Sequence, residues 1–269
     1  MKILLFRVIG IIFGGIIFFS CTKTSVAPAP VVVNSSVESD EITNFDNPNK
    51  VFNDITYAQN TDWLGELQDL DLDIYLPTPK VTNKKFPLIL FIHGGGFLDG
   101  DKRSTQSDCE LLSLSGFVVA TINYRLGWSL FSRNTSDQGS ATYRAAQDGH
   151  AALRFLVSNA EKYSIDTDFI FAEGSSSGAI TALNLAYMNQ DSADYYFHNA
   201  SQSLGDLYSA GNDLSNTYTI KGVASMWGSL ASPYLISMNT GLPSIFFHGE
   251  RDQVIPWDNG YFYGDDYFP

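Results

Sequence analysis

Cysteine is almost absent from this chain: Cys21 and Cys109 are the two in 269 residues. Two thiols so far apart make neither a disulfide framework nor a CxxC pair, so zinc and dithiol redox chemistry through cysteine fall away. Cys109 is expected inside a helix as a small buried apolar residue. Histidine is scarce too, with four copies at positions 93, 150, 198 and 248. Basic residues are the minority, 16 Lys and Arg against 29 Asp and Glu, for a net charge of -13. A surface of that sign repels a phosphate backbone and argues against nucleic acid as a partner. No repeat with a period of 20–50 residues is visible, which sets solenoids and propellers aside. Nothing in the sequence asks for a metal or an organic cofactor. Asp69, Asp71 and Asp73 alternate along one segment but lack the glycine and the closing glutamate of a calcium loop, so they are read as the solvated face of an edge strand.

Apolar residues make up 44% and aromatics 14%, enough for the core of one large α/β domain. Residues 1–20 carry Lys2 and Arg7, then an apolar run too short for a typical membrane span, which is the organisation of a secretory signal. The run stops at Ser20-Cys21. This resembles a bacterial lipoprotein signal, although Phe18-Phe19-Ser20-Cys21 lacks the usual leucine three places before the cysteine. The resemblance implies a lipid on Cys21 and a chain held at the cell envelope through that membrane anchor. The alternative is a plain secretory signal with an incidental cysteine and a secreted product. Residues 21–46, rich in Ser, Thr, Val, Pro and Asn without a usable period, read as a flexible tether, and residues 47–269 as the folded domain.

Within the domain, Val51 to Tyr57 reads as a first strand and Asp69 to Leu76 as a second, with Leu70, Leu72, Ile74 and Leu76 on one face. Phe86 to His93 is a nearly continuous apolar run, as in a strand covered on both faces. A helix over residues 101–114, a strand from Gly116 to Tyr124, a polar loop over 125–140 and a long helix over 141–163 follow. Phe169 to Ala172 is the next strand and Ser177 to Met188 its helix. Asn189 to Thr217 has no clear period and reads as a functional flap. Ile220 to Trp227 and Ser244 to His248 complete the strands. The alternation predicts an α/β fold with a doubly wound, mostly parallel sheet and a site at the carboxyl ends of its strands.

Three motifs fall at those ends: His93-Gly94-Gly95-Gly96-Phe97, Gly174-Ser175-Ser176-Ser177-Gly178, and His248 to Pro256. The G-x-S-x-G spacing puts Ser176 on a tight strand-to-helix bend, where flanking Gly174 and Gly178 let strand and helix crowd together. Acyl transfer by serine needs a nucleophile, a base, an acid that orients the base, and donors for an oxyanion. Ser176 fits the nucleophile. The backbone N–H groups of Gly95, Gly96 and Ser177 are the natural oxyanion donors, each worth ~2.7–4 kcal/mol. Asp252 is the orienting acid and Glu250 the second choice. Gly94 and His93 support the loop.

HGGGF, GSSSG and HGERDQVIP in this order resemble the α/β-hydrolase superfamily, in its esterase and lipase branch with an HGGG oxyanion loop. Within that branch the likeness is to bacterial carboxylesterases related to feruloyl and acetyl esterases, over roughly residues 50–258. It implies a serine ester hydrolase working through an acyl-enzyme, on small-molecule esters or on acyl groups of carbohydrates. A serine peptidase of the same fold and a lipid-anchored, non-catalytic binding protein with a groove lined by Phe97, Trp128 and Trp227 stay open as alternatives. Asn123 to Leu126 and Gln147 to Arg154 look like further family segments, with Arg125 and Asp148 as structural ties. The family order places the catalytic histidine after the acid, and no histidine follows Asp252. The expectation is therefore that this chain stops before the fold's last helix, strand and histidine loop, and that as it stands it hydrolyses esters poorly, at ~10³-fold over water.

Overall fold

Seven strands form one sheet in the order β1-β2-β4-β3-β5-β6-β7. They are β1 (Lys50–Thr61), β2 (Leu67–Leu76), β3 (Phe86–Ile92), β4 (Val118–Ile122), β5 (Ile165–Ser175), β6 (Ile220–Met226) and β7 (Ser244–Phe247). This is a computed structural model, and it describes residues 50–77, 84–129, 135–236 and 241–258. The expected signal, Cys21, the tether and the last eleven residues lie outside them. β3, β4, β5, β6 and β7 run parallel, while β2 is antiparallel to both of its neighbours, β1 and β4.

The apolar run of β3 is covered on both sides, as its composition predicts. Leu88, Leu90 and Ile92 join the larger core with Leu70, Leu72, Ile74, Val118, Ala120 and Ile122. That face is closed by α2 (Thr135–Ser158) and α3 (Ser177–Tyr187), through Leu153, Leu156, Ile180 and Leu183. Ile89 and Phe91 point the other way, toward Tyr75, Val119 and Cys109 of α1 (Gln106–Leu114). Cys109 is fully buried, and desolvation pushes its thiol up to about 12, so it packs as a hydrophobe.

The chain leaves β3 for β4 on one side and comes back to β5 on the other. A crevice forms at such a reversal, outside the carboxyl ends of the strands. The loops after β3 and β5 are the two that flank it, so topology alone brings HGGGF and GSSSG together.

Two expectations change. The stretch from Asn189 to Thr217 is no flap. It holds α4 (Gln190–Tyr196) and α5 (His198–Leu204), seated on α2 by Tyr143, Ala146, Met188, Ala193, Ala200 and Leu207. Asn189 starts α4 with a reciprocal capping box to Ser192. Helices of seven residues show too few turns for a period to stand out. The aspartates of β2 also differ from their reading. β2 is an inner strand, and Asp71 and Asp73 face an ammonium rather than water. Lys102 Nζ lies 2.8 Å from Asp73, 3.2 Å from Asp71 and 2.5 Å from Asp54.

Candidate active site

The bend between β5 and α3 carries the sharpest backbone constraint of the site. Ser176 has φ 53° and ψ −125°, a conformation that a residue with a side chain adopts only when its surroundings enforce it. Its N–H donates to the Met226 carbonyl of β6 at 2.9 Å, and its carbonyl accepts from Ile180 N–H at 3.0 Å to open α3. Gly178 makes the crowding possible: a Cβ there would stand 2.1 Å from the Ile92 carbonyl oxygen. A Cβ on Gly174 would meet Gly178 O at 2.4 Å, so the two glycines of the motif press on each other. The Ser176 hydroxyl makes no hydrogen bond among the described residues.

Across the crevice, the loop after β3 folds back on itself. Gly95 O accepts from Leu98 N–H at 3.0 Å and Asp99 N–H at 3.1 Å. Gly95 sits at φ 125°, with the Asp99 carbonyl oxygen 1.8 Å from where a Cβ would be, so only glycine fits. Trp128 Nε1–H donates to Gly96 O at 2.9 Å and Gly127 N–H to Phe97 O at 2.7 Å. With the carbonyls used this way, the N–H groups of Gly95, Gly96 and Ser177 are left without an acceptor among the described residues. Gly94 abuts the bend: its Cβ would lie 3.2 Å from Ser176 Cβ.

His93 braces this loop from beneath. Its ring stacks on Tyr124 with centroids 4.5 Å apart, and Nδ1 lies 2.7 Å from Gly94 O. Burial holds its pKa below the ordinary value. Tyr124 ties the two motifs: its hydroxyl donates to His93 O at 3.0 Å and takes the Ser177 hydroxyl at 3.3 Å. Sequence reasoning placed Trp128 in a candidate groove and Tyr124 in a family segment, and left Lys102 out of the site's frame. Its place beside a motif was the available signal.

Lys102 follows the loop directly. Burial works against its charge, but the hydrogen bonds to Asp54 and Asp73 prevail and raise its pKa. Its own N–H donates to Asn123 Oδ1 at 2.8 Å, so β1, β2 and β4 all grip the loop's far end. Arg125 and Asp148 are structural, as the sequence reading has them. The buried guanidinium and carboxylate meet at 2.8 Å, and Asp148 Oδ2 also accepts Arg125 N–H at 2.8 Å.

Asp252 sits in the turn after β7. Its Oδ1 accepts from Val254 N–H at 2.9 Å and Ile255 N–H at 3.0 Å, which leaves Oδ2 facing His248 Nε2 at 3.6 Å. Trp227 N–H bonds to Phe247 O at 2.7 Å, so Ser176, Trp227 and His248 lie level across three neighbouring strands. Glu250, the second choice for the acid, is exposed three residues past the strand end. None of the four imidazoles is hydrogen-bonded to Ser176. His93 is held in the loop, His150 is buried against Tyr218, His198 opens α5, and His248 Nε2 sits 2.8 Å from Ile255 O. Of the aromatics considered for a binding groove, Phe97 and Trp128 are buried and Trp227 is 44% exposed.

The BD-FAE family profile matches residues 72–229, more than half of the chain, and takes in both glycine motifs. The chain belongs to the BD-FAE family. Carboxylesterase 1C of Rattus norvegicus is 34% identical over 165 residues, which is 60% of the BD-FAE chain and 28% of that protein. Gut esterase 1 of Caenorhabditis briggsae is 36% identical over 110 residues, 40% of this chain and 19% of that protein. The BD-FAE chain thus spans about a quarter of the length of these curated relatives. Among solved structures, Thermogutta terrifontis esterase 2 phosphorylated by paraoxon aligns with 22% identity and TM-score 0.55 over 78% of this chain and 74% of that one. The propionate-bound form of the same esterase aligns at TM-score 0.56. These structures share the α/β-hydrolase fold with the BD-FAE chain.

Proposed function

We propose that this chain carries the catalytic core of a serine carboxylic-ester hydrolase. The reading rests on one observation: Ser176, held at φ 53° on a strand-to-helix bend, abuts the glycine loop at Gly94, where a Cβ would stand 3.2 Å from its own, and the N–H groups of Gly95, Gly96 and Ser177 are unspent among the described residues. Ser176 Oγ would attack the ester carbonyl carbon as its proton passes to a general base, which hands it on to the departing alcohol. The carbonyl oxygen would take the negative charge and accept from the three N–H groups. These donors are fixed before reaction, so their dipoles need no reorganisation as the charge develops. Collapse would expel the alcohol and leave an acyl-Ser176, which water then hydrolyses. Asp252, with one oxygen pinned by two backbone N–H groups, would use the other to orient a protonated base. That base is not supplied by any of the four imidazoles as they stand. The acyl groups of carbohydrates are the proposed substrates, supported by the resemblance of the sequence motifs to feruloyl and acetyl esterases and by the exposed Trp227 indole, level with Ser176, on which a sugar or aryl ring can stack.

Paraoxon is the reagent for the test, since it phosphorylates the Thermogutta esterase. Mass spectrometry of the treated chain should find a diethylphosphoryl group on the peptide holding Ser176, and Ser176→Ala should lose it. A label elsewhere, or none with turnover intact, would overturn the reading. The membrane anchor is a separate proposal, supported by the sequence around Cys21: radiolabelled palmitate should enter the wild-type chain in a bacterial host and be absent from Cys21→Ser.

A further inference from the structure

A second cavity, of about 610 Å³, opens away from the Ser176 crevice. It is walled by Arg154 of α2 and by residues 208–209 and 212–218, the segment that leads into β6. Tyr218 stands two residues before β6 begins, whereas Ser176 bonds to the strand's last residue. Eight residues of extended chain separate the two levels, roughly 26 Å. The cavity therefore belongs to no part of the site already described.

Its wall is built rather than incidental. The buried Arg154 guanidinium donates from Nε to Asn212 Oδ1 at 3.1 Å, from Nη2 to Ala210 O at 2.6 Å, and from Nη1 to Tyr208 O. Asn212 in turn donates from Nδ2 to Tyr57 O and Ala151 O, both at 3.0 Å. Those bonds lock the loop to α2 and β1. Behind the wall, His150 bonds Tyr218 Oη through Nδ1, and its ring lies 4.7 Å from that of Tyr208. His150 Nε2 is buried without a partner. Tyr208 is backed by this imidazole yet 42% exposed, so part of its ring is free for contact. The side chains of Asp213, Ser215, Asn216 and Thr217 make no hydrogen bond among the described residues and remain available as donors and acceptors.

That chemistry selects the ligand class. A phosphate or carboxylate is disfavoured, because three of the five N–H groups of Arg154 are already spent on oxygens of the loop and Asp213 adds a negative charge. The tyrosine rings and Leu214 give the lining an apolar surface, but a wholly apolar ligand would leave the Asp213 carboxylate and the neighbouring amide and hydroxyls without partners. A carboxylate, an amide and hydroxyls beside a half-exposed tyrosine ring match a neutral polyhydroxylated ring, whose C–H face stacks and whose hydroxyls both donate and accept. We propose that this cavity is a carbohydrate-binding site, distinct from the ester site, that holds one or two sugar units of a neutral saccharide. It stands whether or not Ser176 is acylated.

The test uses the whole chain, with xylotetraose and cellotetraose as probes and inorganic phosphate as the anionic control, read by isothermal titration. At least one tetrasaccharide should bind saturably in the millimolar range and phosphate should not compete. Tyr208→Ala should weaken binding about tenfold. Asp213→Ala, at an exposed position that bears on no packing, should do the same, which covers the case in which the tyrosine variant fails to fold. Both variants should still be labelled by paraoxon at Ser176. Prior labelling of Ser176 should leave the affinity unchanged. No saturable binding of either probe, binding that ignores both substitutions, competition by phosphate, or loss of binding after labelling would each overturn the proposal.

Discussion

Lys102 shows how much of this site rests on a residue that performs no chemistry. Its ammonium is sealed from water and answered by Asp54, Asp71 and Asp73, two of which would otherwise crowd negative charge on one face of β2. Removing the cation leaves a buried carboxylate, Asp73, without its partner, and that is the expensive way to break a buried ion cluster. Lys102→Met is expected to lower stability by about 3 kcal/mol, measured as a fall in the urea midpoint. Because Lys102 follows the HGGGF loop directly, the same variant should lose turnover number at temperatures where it is still folded. An unchanged midpoint would mean that Asp71 and Asp73 are solvated after all, as their spacing with Asp69 first suggested.

At the scale of elements, the sheet was legible because β3 and β2 announce themselves by continuous and alternating apolar residues, and the site was legible because glycine patterns mark the two bends beside the crevice. What the sequence hid has physical reasons. The long helix α2 begins at residue 135 rather than 141, because its first turns carry Thr, Ser, Asp, Gln and Gly, residues that look like loop until something packs on them. Helices α4 and α5 are too short to show a period. The Lys102 cluster joins residues far apart in sequence, and no local pattern encodes such a contact. Where the pattern was read correctly it also makes a sharp prediction. Gly178→Ala drives a methyl group into the Ile92 carbonyl, backbone against backbone, with no side chain able to move aside. This variant is expected to lose paraoxon labelling even if some of it folds, while Gly116→Ala, with open space around its Cβ, should keep it and pay only for its left-handed φ.

Over the whole molecule, the half-buried Glu173 and the buried His150 set opposing responses to pH. Burial, with a smaller push from Asp108, raises the Glu173 carboxyl from its ordinary 4.5 to about 7. The folded state therefore keeps a proton that the unfolded chain releases near pH 4.5. Stability from this group is intact below that pH and is lost as pH climbs toward 7. Burial, with Arg154 second, lowers the His150 imidazole from 6.5 to about 3. Here the unfolded chain takes the proton first, so this contribution is intact above pH 6.5 and is lost as pH falls toward 3. Glu173→Gln should raise the urea midpoint relative to the parent at pH 8 and do so far less at pH 4. A difference that does not vary between those two conditions would show that Glu173 ionises freely in the folded protein.

β7 is only four residues long, and among the described residues it is held along one side, by β6. The turn that presents Asp252 hangs from this short margin, whereas Ser176 and the glycine loop are rooted in the middle of the sheet. A brief detachment of that margin would carry the carboxylate off while the serine bend stayed whole. Heating should then silence turnover some degrees before circular dichroism registers any melting, and cooling should restore it in full.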